Sequence, residues 1–287
     1  MSHLIKKLRP KEFPEALREI TDPPAELYLH GVLPKKDNKI LCVVGSRKFS
    51  TYGKEACESI IAGLAGYPIT IVSGLALGID SIAHKSALSA GLQTLAVPGS
   101  GLDPKVLYPR SNLALAEKIL EAGGGILSEF DPLFRATPYS FPQRNRIMAG
   151  LSHAVLIIEA ELKSGTLITS KFATEYNRDV FAVPGSIFSK TSDGPHMLIR
   201  LGATPIRSGK DILEAFGFDT QEALPFEQRY ADASADEMRV ITLLASPCSK
   251  DNLLRSLDMP IRDANTLLSM MEIKGMISDR GGEIRLI

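Results

Sequence analysis

Six short apolar runs, each followed by a turn and a segment of helical period, set the strongest limit on how this chain can fold. The runs begin near residues 40, 69, 93, 125, 154 and 179 and read ILCVVG, ITIVSG, QTLAVPG, GILSEF, AVLIIEA and DVFAVPG. Runs that are apolar on both faces are typical of strands inside a parallel sheet, and alternation with helices produces right-handed βαβ units. The sequence therefore predicts an α/β fold, an extended Rossmann-like sheet that is doubly wound and mostly parallel.

A change of composition after Gly217 predicts a second, smaller domain. We expect a Rossmann-like domain over residues 40–217, whose last unit runs from about Thr204 to Gly217. Residues 218–231 are polar and without period, as in a linker. Residues 232–287 contain three helical patterns and two short strands around Gly281 and Gly282, which predicts a winged helix. Residues 1–39 read as an extended lead-in with one short strand at LYLHG.

Composition excludes several classes of protein. The chain has 287 residues, 44% of them hydrophobic, which is enough for a large core and excludes general disorder. It lacks an apolar stretch of membrane-spanning length and a signal-peptide core, so we expect a cytoplasmic protein. Lys+Arg and Asp+Glu both number 33, so any site for a polyanion must be local. Three cysteines without metal-binding spacing predict neither disulfides nor zinc, and we expect no metal and no cofactor.

The turns after the strands are the candidate binding elements, because open parallel sheets bind ligands at the carboxyl ends of their strands. Backbone amides in glycine-rich turns, together with the positive ends of the helices that follow, favour phosphate. The sequence therefore predicts an anion-binding rim. Its turns are Gly45-Ser46-Arg47, the segment 73–78 with Gly74, Gly99-Ser100-Gly101 after Pro98, and Ser164-Gly165-Thr166.

Cationic and aromatic residues in the same regions favour a strand of nucleic acid as the ligand. Guanidinium and ammonium groups contact successive phosphates, and exposed rings stack on bases. The alternative is that the glycines serve only the turns and that the cations are solvated or paired with Glu129, Glu159 and Glu175. The candidate cations are Arg47, Arg110, Arg144, Arg146 and Lys171, and the candidate rings are Phe141 and Tyr139.

Other nucleotide-binding patterns are absent from the sequence. The first turn reads GSRKFS instead of GxGxxG, and the strand that ends in IVSG supplies no acid for a ribose hydroxyl. The chain also lacks the GxxxxGK[ST] pattern of P-loop ATPases. We interpret His84 as a structural histidine and Asp80 as a helix-capping residue. These observations favour neither a dehydrogenase nor an ATPase.

Seven blocks of sequence, in order, closely resemble the DNA processing protein A (DprA/Smf) family. Together they span about residues 20 to 217. The blocks are VVGSR at 43–47, IVSGLALGIDSIAHKSAL at 71–88, AVPGSGLDPKVLYPRSN at 96–112, SEFDP at 128–132, FPQRNRIMAGLSHAVLIIEAELKSGTLIT at 141–169, RDVFAVPGSI at 178–187 and SDGPHMLIRLGA at 192–203.

The resemblance implies a protein that binds single-stranded DNA without enzymatic turnover, forms a homodimer and loads the recombinase RecA onto incoming DNA in natural transformation. The family's GSR motif corresponds to Gly45, Ser46 and Arg47, and the basic residue after YP corresponds to Arg110. Its FPxRNR block corresponds to Phe141, Arg144 and Arg146. Some members carry a lysine where this chain has Pro138. Many members begin with a helical SAM-like domain, which we do not expect in residues 1–39.

Two questions stay open at the level of sequence. Residues 232–287 carry seven cations and nine anions, a net charge of −2, which favours protein interaction or self-association over reading of duplex DNA. The rival function is that of a Rossmann-like nucleotide-processing enzyme, because phosphoribohydrolases carry a related Gly-Thr loop with an acid three residues later. In this chain the acid is Glu175, nine residues after Thr166.

Overall fold

The structure is a computed structural model that describes residues 5–218, 233–244, 247–257, 259–280 and 282–286. The chain divides into two compact units, Met1–Asp219 and Thr220–Ile287. We treat them separately as the N-terminal unit and the C-terminal unit. The predicted linker at 218–231 lies outside the described residues apart from Phe218.

The N-terminal unit is built on a nine-stranded sheet in the order β1-β2-β6-β5-β4-β3-β7-β8-β9. Strands β3 to β9 run parallel, whereas β1 pairs antiparallel with β2 and β2 pairs antiparallel with β6. The strands are β1 Lys6–Leu8, β2 Leu27–Gly31, β3 Lys39–Val44, β4 Ile69–Ser73, β5 Gln93–Ala96, β6 Gly125–Ser128, β7 Ala154–Ile157, β8 Asp179–Ala182 and β9 Thr204–Pro205.

This sheet confirms the predicted α/β class with a doubly wound, mostly parallel sheet. Each of the six apolar runs forms a strand, and LYLHG forms β2. The parallel part of the sheet begins at β3. The chain then adds β4, β5 and β6 on one side of β3, and it returns to add β7, β8 and β9 on the other side. The order of strands therefore reverses between β3 and β7, which is where ligands of doubly wound sheets bind.

Helices cover both faces of this sheet. Alternate residues of β3 enter separate cores: Ile40, Cys42 and Val44 face the layer of α5, α6 and α7, and Leu41 and Val43 face the layer of α2, α3 and α8. Burial on both faces explains why the run ILCVVG contains no polar residue. The helices are α1 Glu15–Arg18, α2 Thr51–Ala62, α3 Ile79–Ser89, α4 Leu113–Glu121, α5 Ser140–Leu151, α6 Thr166–Glu175, α7 Asp193–Arg200 and α8 Gly209–Ala215.

The C-terminal unit has its own core and contains the three helices and the hairpin that the sequence predicts for residues 232–287. A helix, a short strand, two helices and a hairpin follow one another, and the three strands pair in the order β10-β12-β11. Val240, Leu253, Leu268 and Ile284 contribute to its buried core. The elements are α9 Ala235–Leu243, β10 Cys248–Ser249, α10 Lys250–Ser256, α11 Ile261–Ile273, β11 Ile277–Arg280 and β12 Glu283–Leu286.

Candidate nucleic-acid interface

A pocket of about 420 Å³ opens at the carboxyl ends of β3 and β7, at the reversal of strand order. The turn after β3 and the turn before α6 both contribute to it. Two further cations, Lys48 and Lys163, border it and extend the set identified from the sequence. The predicted residues that line this pocket are Gly45, Ser46, Arg47, Phe141, Arg144, Gly165 and Thr166.

Beside the pocket lies a surface of alternating cations and rings, formed by Arg47, Phe141, Tyr108 and Arg110, which we call the aromatic-arginine surface. The Arg47 guanidinium lies 5.3 Å from the centroid of the Phe141 ring. The Phe141 and Tyr108 ring centroids are 5.7 Å apart. Arg47 and Arg110 are exposed, and Tyr108 is 48% exposed. The arrangement presents two guanidinium groups and the Tyr108 ring to solvent, and the half-buried Phe141 ring lies between Arg47 and Tyr108.

Gly99, Ser100 and Gly101 support this surface from below. All three are buried, which corrects the expectation that their amides line an exposed rim. Ser100 Oγ accepts a hydrogen bond of 3.1 Å from the Tyr108 amide. A Cβ at position 99 would lie 2.6 Å from Phe141 Cδ1, so a glycine is needed for that ring to pack here. In the structure these residues pack beneath the rings and position them.

The turn after β4 uses its own polar groups internally. Asp80 accepts hydrogen bonds from the amides of Gly74 at 3.1 Å and Ala76 at 3.4 Å. Asn112 Nδ2 donates to the carbonyls of Leu75 and Ala76 at 2.8 and 3.2 Å, which holds Leu75 at a φ of 57°. Gly74 is buried. The amides of Gly74 and Ala76 are thus already bound by Asp80, which corrects the expectation that Gly74 presents a free amide to an anion.

Arg144 lies beneath the surface rather than on it. The residue is 5% exposed, and its Nη1 donates to the carbonyl oxygens of Gly74 at 2.6 Å and of Val97. Burial raises the pKa of Asp80 above its usual range, and the Arg144 charge opposes that rise. Arg144 Nε has no hydrogen-bond partner among the described residues, although the side chain lines the pocket. The expectation of an exposed cation at 144 is corrected to a buried one at the pocket wall.

Arg146 and Lys171 make ion pairs outside the pocket lining. Arg146 is buried, contacts Glu129 through Nη2, and lies 3.4 Å from the Asp22 carboxylate through Nε. This is the alternative that the sequence left open, and it ties α5 to the segment before β2. Lys171 is exposed on α6, 3.7 Å from Glu175. The structure therefore does not bring either cation to the pocket.

The amino terminus of α2 is occupied by a protein carboxylate. Ser50 caps α2 by accepting a hydrogen bond from the Gly53 amide at 3.0 Å. Its own amide donates to Glu159 Oε2 at 2.9 Å, and its hydroxyl donates to Glu159 Oε1 at 2.6 Å. Glu159 thus fills the place at this helix where the sequence predicts a phosphate. In contrast, Gly165 and Thr166 at the start of α6 line the pocket.

Comparison with known proteins identifies the family. Residues 5–217 match the model of the family described as DNA recombination-mediator protein A. The chain belongs to this family. The match confirms the resemblance of the sequence motifs to this family. The function of the family is DNA processing in recombination.

Relatives and solved structures agree on the DNA recombination-mediator protein A family. Protein Smf of Escherichia coli is 37% identical over 292 residues, 96% of this chain and 75% of that protein. DNA processing protein DprA of Streptococcus pneumoniae is 45% identical over 208 residues, 72% of either chain. Its X-ray structure aligns with a TM-score of 0.68 at 42% identity, over 73% of this chain and 74% of that one.

A second solved structure from the family is described as binding single-stranded DNA. DNA processing protein A from Helicobacter pylori, described for its unique single-stranded DNA binding mode, aligns with a TM-score of 0.65 at 30% identity. The alignment covers 75% of this chain and 96% of that one.

Two further findings concern the residues that the structure of this chain describes. None of its helices there is long and apolar enough to cross a membrane. The same residues include no group of three or more potential ligand side chains that could hold a metal ion.

Sequence reasoning missed Tyr108 in this family member. The YPR turn predicts a contact for Arg110, and the tyrosine two residues before that arginine is the signal that could have identified Tyr108. Its contact with Phe141 joins residues 33 positions apart, which spacing alone could not reveal. Lys48 and Lys163 directly adjoin the predicted turns at 45–47 and 164–166, and this position in the sequence is the signal that could have identified them.

Proposed function

We propose that this chain is a single-stranded DNA-binding recombination mediator that acts without enzymatic turnover, protects incoming DNA and loads RecA onto it in natural transformation. The observation that carries the proposal is the aromatic-arginine surface beside the pocket. Family membership and the DNA-binding description of the Helicobacter pylori relative support it. The proposal includes a cytoplasmic homodimer as the acting form.

The chemistry of this surface matches a single strand better than a duplex. Exposed rings stack on bases, which are accessible only where a strand is unpaired. The two guanidinium groups contact phosphates on either side of the stacked bases. Contact with phosphate releases counterions, so affinity falls as salt rises. Binding is therefore expected to depend on both salt concentration and strandedness.

The test is a fluorescence anisotropy titration of labelled single-stranded and duplex oligonucleotides across a potassium chloride series. The variant Arg47→Ala with Arg110→Ala removes both guanidinium groups of the surface. Arg200→Ala is the matched control, because this exposed arginine ends α7 at the opposite edge of the sheet. We expect the double variant to bind at least about tenfold more weakly, with a shallower salt dependence, whereas the control binds like the unmodified chain.

Unchanged affinity and salt slope in the double variant would reject the assignment of these arginines. Thermal unfolding of all three proteins accompanies the titration. Because Arg47 and Arg110 are exposed, their replacement should change the free energy of unfolding by less than about 0.5 kcal/mol.

The enzymatic alternative has less support. The phosphoribohydrolase pattern places its acid three residues after the Gly-Thr loop, whereas Glu175 follows Thr166 by nine residues, ends α6 and contacts Lys171. The acids that line the pocket with Thr166 are Glu161 and Asp80, which both precede the loop in sequence, and Asp80 already accepts hydrogen bonds from backbone amides. We expect no release of free base from nucleoside monophosphates, measured by chromatography. Loading of RecA is tested separately, by RecA filament formation on DNA coated with single-strand-binding protein, and dimerisation by light scattering.

A further inference from the structure

A second group of exposed rings lies on the same rim, across the β3 turn from the aromatic-arginine surface. Phe49 and Tyr52 follow β3, and Ile187 and Phe188 follow β8. Phe188 is 92% exposed and Ile187 is 77% exposed, although large apolar side chains are costly to leave in water. We call these four residues the β8 patch. Nothing in the function of the first surface accounts for them.

The loop that carries Phe188 is braced rather than loose. Tyr52 Oη donates to the Pro184 carbonyl, which ties the start of α2 to this loop. His196 Nε2 lies 3.0 Å from the Gly185 carbonyl, and Ser186 Oγ accepts from the Phe188 amide at 3.2 Å. Together with the bond of 3.1 Å from the Ser189 amide to the Ser186 carbonyl, these bonds fix the backbone on both sides of the exposed ring. Because the backbone is already ordered, little further conformational entropy is lost when a ligand stacks on this ring.

A cleft of about 540 Å³, whose exposed lining is mostly apolar, separates the two parts of the patch. Tyr52 and Ser50 form one wall, and Gly185, Ser186 and Ser189 form the other. The carboxylate of Glu159 lies at its floor, where Ser50 and Thr191 donate hydrogen bonds to it. The cleft therefore offers a mainly apolar lining, an aromatic wall and a carboxylate at its floor, which suit an uncharged base better than a phosphate.

The β8 patch lies along the same rim as the aromatic-arginine surface and continues it. Strands β3, β7 and β8 are neighbours, so the turns after β3 and β8 begin about 10 Å apart at the usual strand spacing. A single strand that leaves Arg47 toward β8 meets the patch within a few nucleotides. The exposed Lys48 and Lys190 lie in these two loops and supply positive charge, which the exposed Asp193 at the start of α7 partly offsets. Stacking, rather than charge, is the main contribution here.

We propose that the β8 patch is a second stacking site for the same DNA strand, so that the bound polynucleotide crosses the β3 turn and stacks a base on Phe188. The inference rests on the proposed function. It adds to it a direction for the strand along the rim, from β5 across β3 to β8. The chemical class of the ligand is an unpaired nucleobase joined to the strand held at Arg47.

The test uses the full chain and fluorescein-labelled oligo(dT) across a potassium chloride series. Phe188→Ala removes the ring, Phe188→Tyr keeps an aromatic face, and Leu201→Ala is the control, since Leu201 is an exposed apolar residue beyond the end of α7. We expect Phe188→Ala to weaken binding at least about fivefold at every salt concentration, because a base loses its stacking partner. The salt slope should not change, because no charge is removed. Phe188→Tyr and Leu201→Ala should bind like the unmodified chain.

Each outcome separates this inference from the proposed function. If the unmodified chain shows no salt-sensitive binding to oligo(dT), the proposed function fails. If it binds but Phe188→Ala binds within twofold of it, the second stacking site is rejected while the first surface stands. A loss of dimer mass in light scattering with unchanged DNA affinity would also reject the site, because the ring would then belong to a contact between two copies of the chain.

Discussion

His84 illustrates how burial fixes the charge of a single residue. The side chain is fully buried in α3, and its Nδ1 lies 2.7 Å from Thr94 Oγ1. Thr94 donates its own proton to the Ile71 carbonyl at 2.9 Å, so the imidazole is the donor to Thr94. Burial lowers the pKa of His84 to about 3, whereas the unfolded chain has the ordinary value of 6.5. The residue is therefore neutral in the folded protein at physiological pH.

This difference predicts that His84 makes the protein less stable in acid. Between pH 6.5 and about 3 the unfolded chain binds a proton that the folded chain refuses, so stability is full above 6.5 and is lost as pH falls through this window. Lowering the pH from 7 to 5 should cost about 2 kcal/mol through this residue alone. Urea unfolding of the unmodified chain and of His84→Gln at both pH values measures it. Asp80, whose raised pKa acts in the opposite direction, is common to both proteins. Equal losses in the two proteins would contradict the prediction.

At the scale of single residues, Arg144 and Arg146 show that solvent exposure of a site residue could not be predicted from the sequence. Residue type and turn position placed both arginines at the carboxyl end of the sheet. Whether a guanidinium faces solvent depends on partners distant in the chain, and here Gly74 lies 70 residues and Asp22 lies 124 residues away. Arg47 stays exposed because its own contact is the face of a ring. Local pattern therefore predicted the site, and long-range contacts decided which cations remain available.

At the scale of elements, the start of α2 depends on an acid from the end of β7. The two oxygens of Glu159 accept from the Ser50 amide, the Ser50 hydroxyl and the Thr191 hydroxyl. Glu159→Gln replaces one acceptor with a donor and removes a negative charge from the positive end of the helix. We expect the free energy of unfolding to fall by about 1 to 3 kcal/mol, since one buried donor loses its acceptor. Urea denaturation measures the change.

Glu58→Gln is the control for this prediction. Glu58 lies on the same helix, its side chain is 45% exposed, and it is 3.9 Å from Lys54. Its replacement should change stability by less than about 0.5 kcal/mol, because exposed pairs contribute little. Similar losses in the two variants would mean that the contacts of Glu159 do not stabilise α2 specifically.

Elements differ in how far the sequence predicts them. The central parallel strands are predictable because burial on both faces leaves an apolar run, uninterrupted in β7 and broken only by small buried hydroxyl residues in β4. The short strand β9 has both residues exposed, so its pairing with β8 carries no such signal. The position of β2 beside β6, 94 residues after it in sequence, is likewise set by tertiary packing. Elements defined by their own burial are predictable, and those defined by a partner are not.

At the scale of the whole molecule, charge is distributed unevenly between two units. Residues 40–217 carry 17 cations and 15 anions, whereas residues 232–287 carry seven cations and nine anions. The C-terminal unit has an independent core that includes Ile241, Leu257 and Met271. Its net charge of −2 opposes contact with phosphates even though its element order is typical of a winged helix.

This distribution predicts that the C-terminal unit is dispensable for DNA binding. A chain that ends at residue 219 should bind single-stranded oligonucleotides within about twofold of the full chain and with the same salt slope, because slope counts the phosphates neutralised. Both proteins should bind duplex DNA more weakly than single strands in the same anisotropy assay. Duplex affinity that is present in the full chain and lost on shortening would instead show that the C-terminal unit reads duplex DNA. If DNA binding survives while capture of RecA is lost, the unit serves a protein partner, as its charge favours.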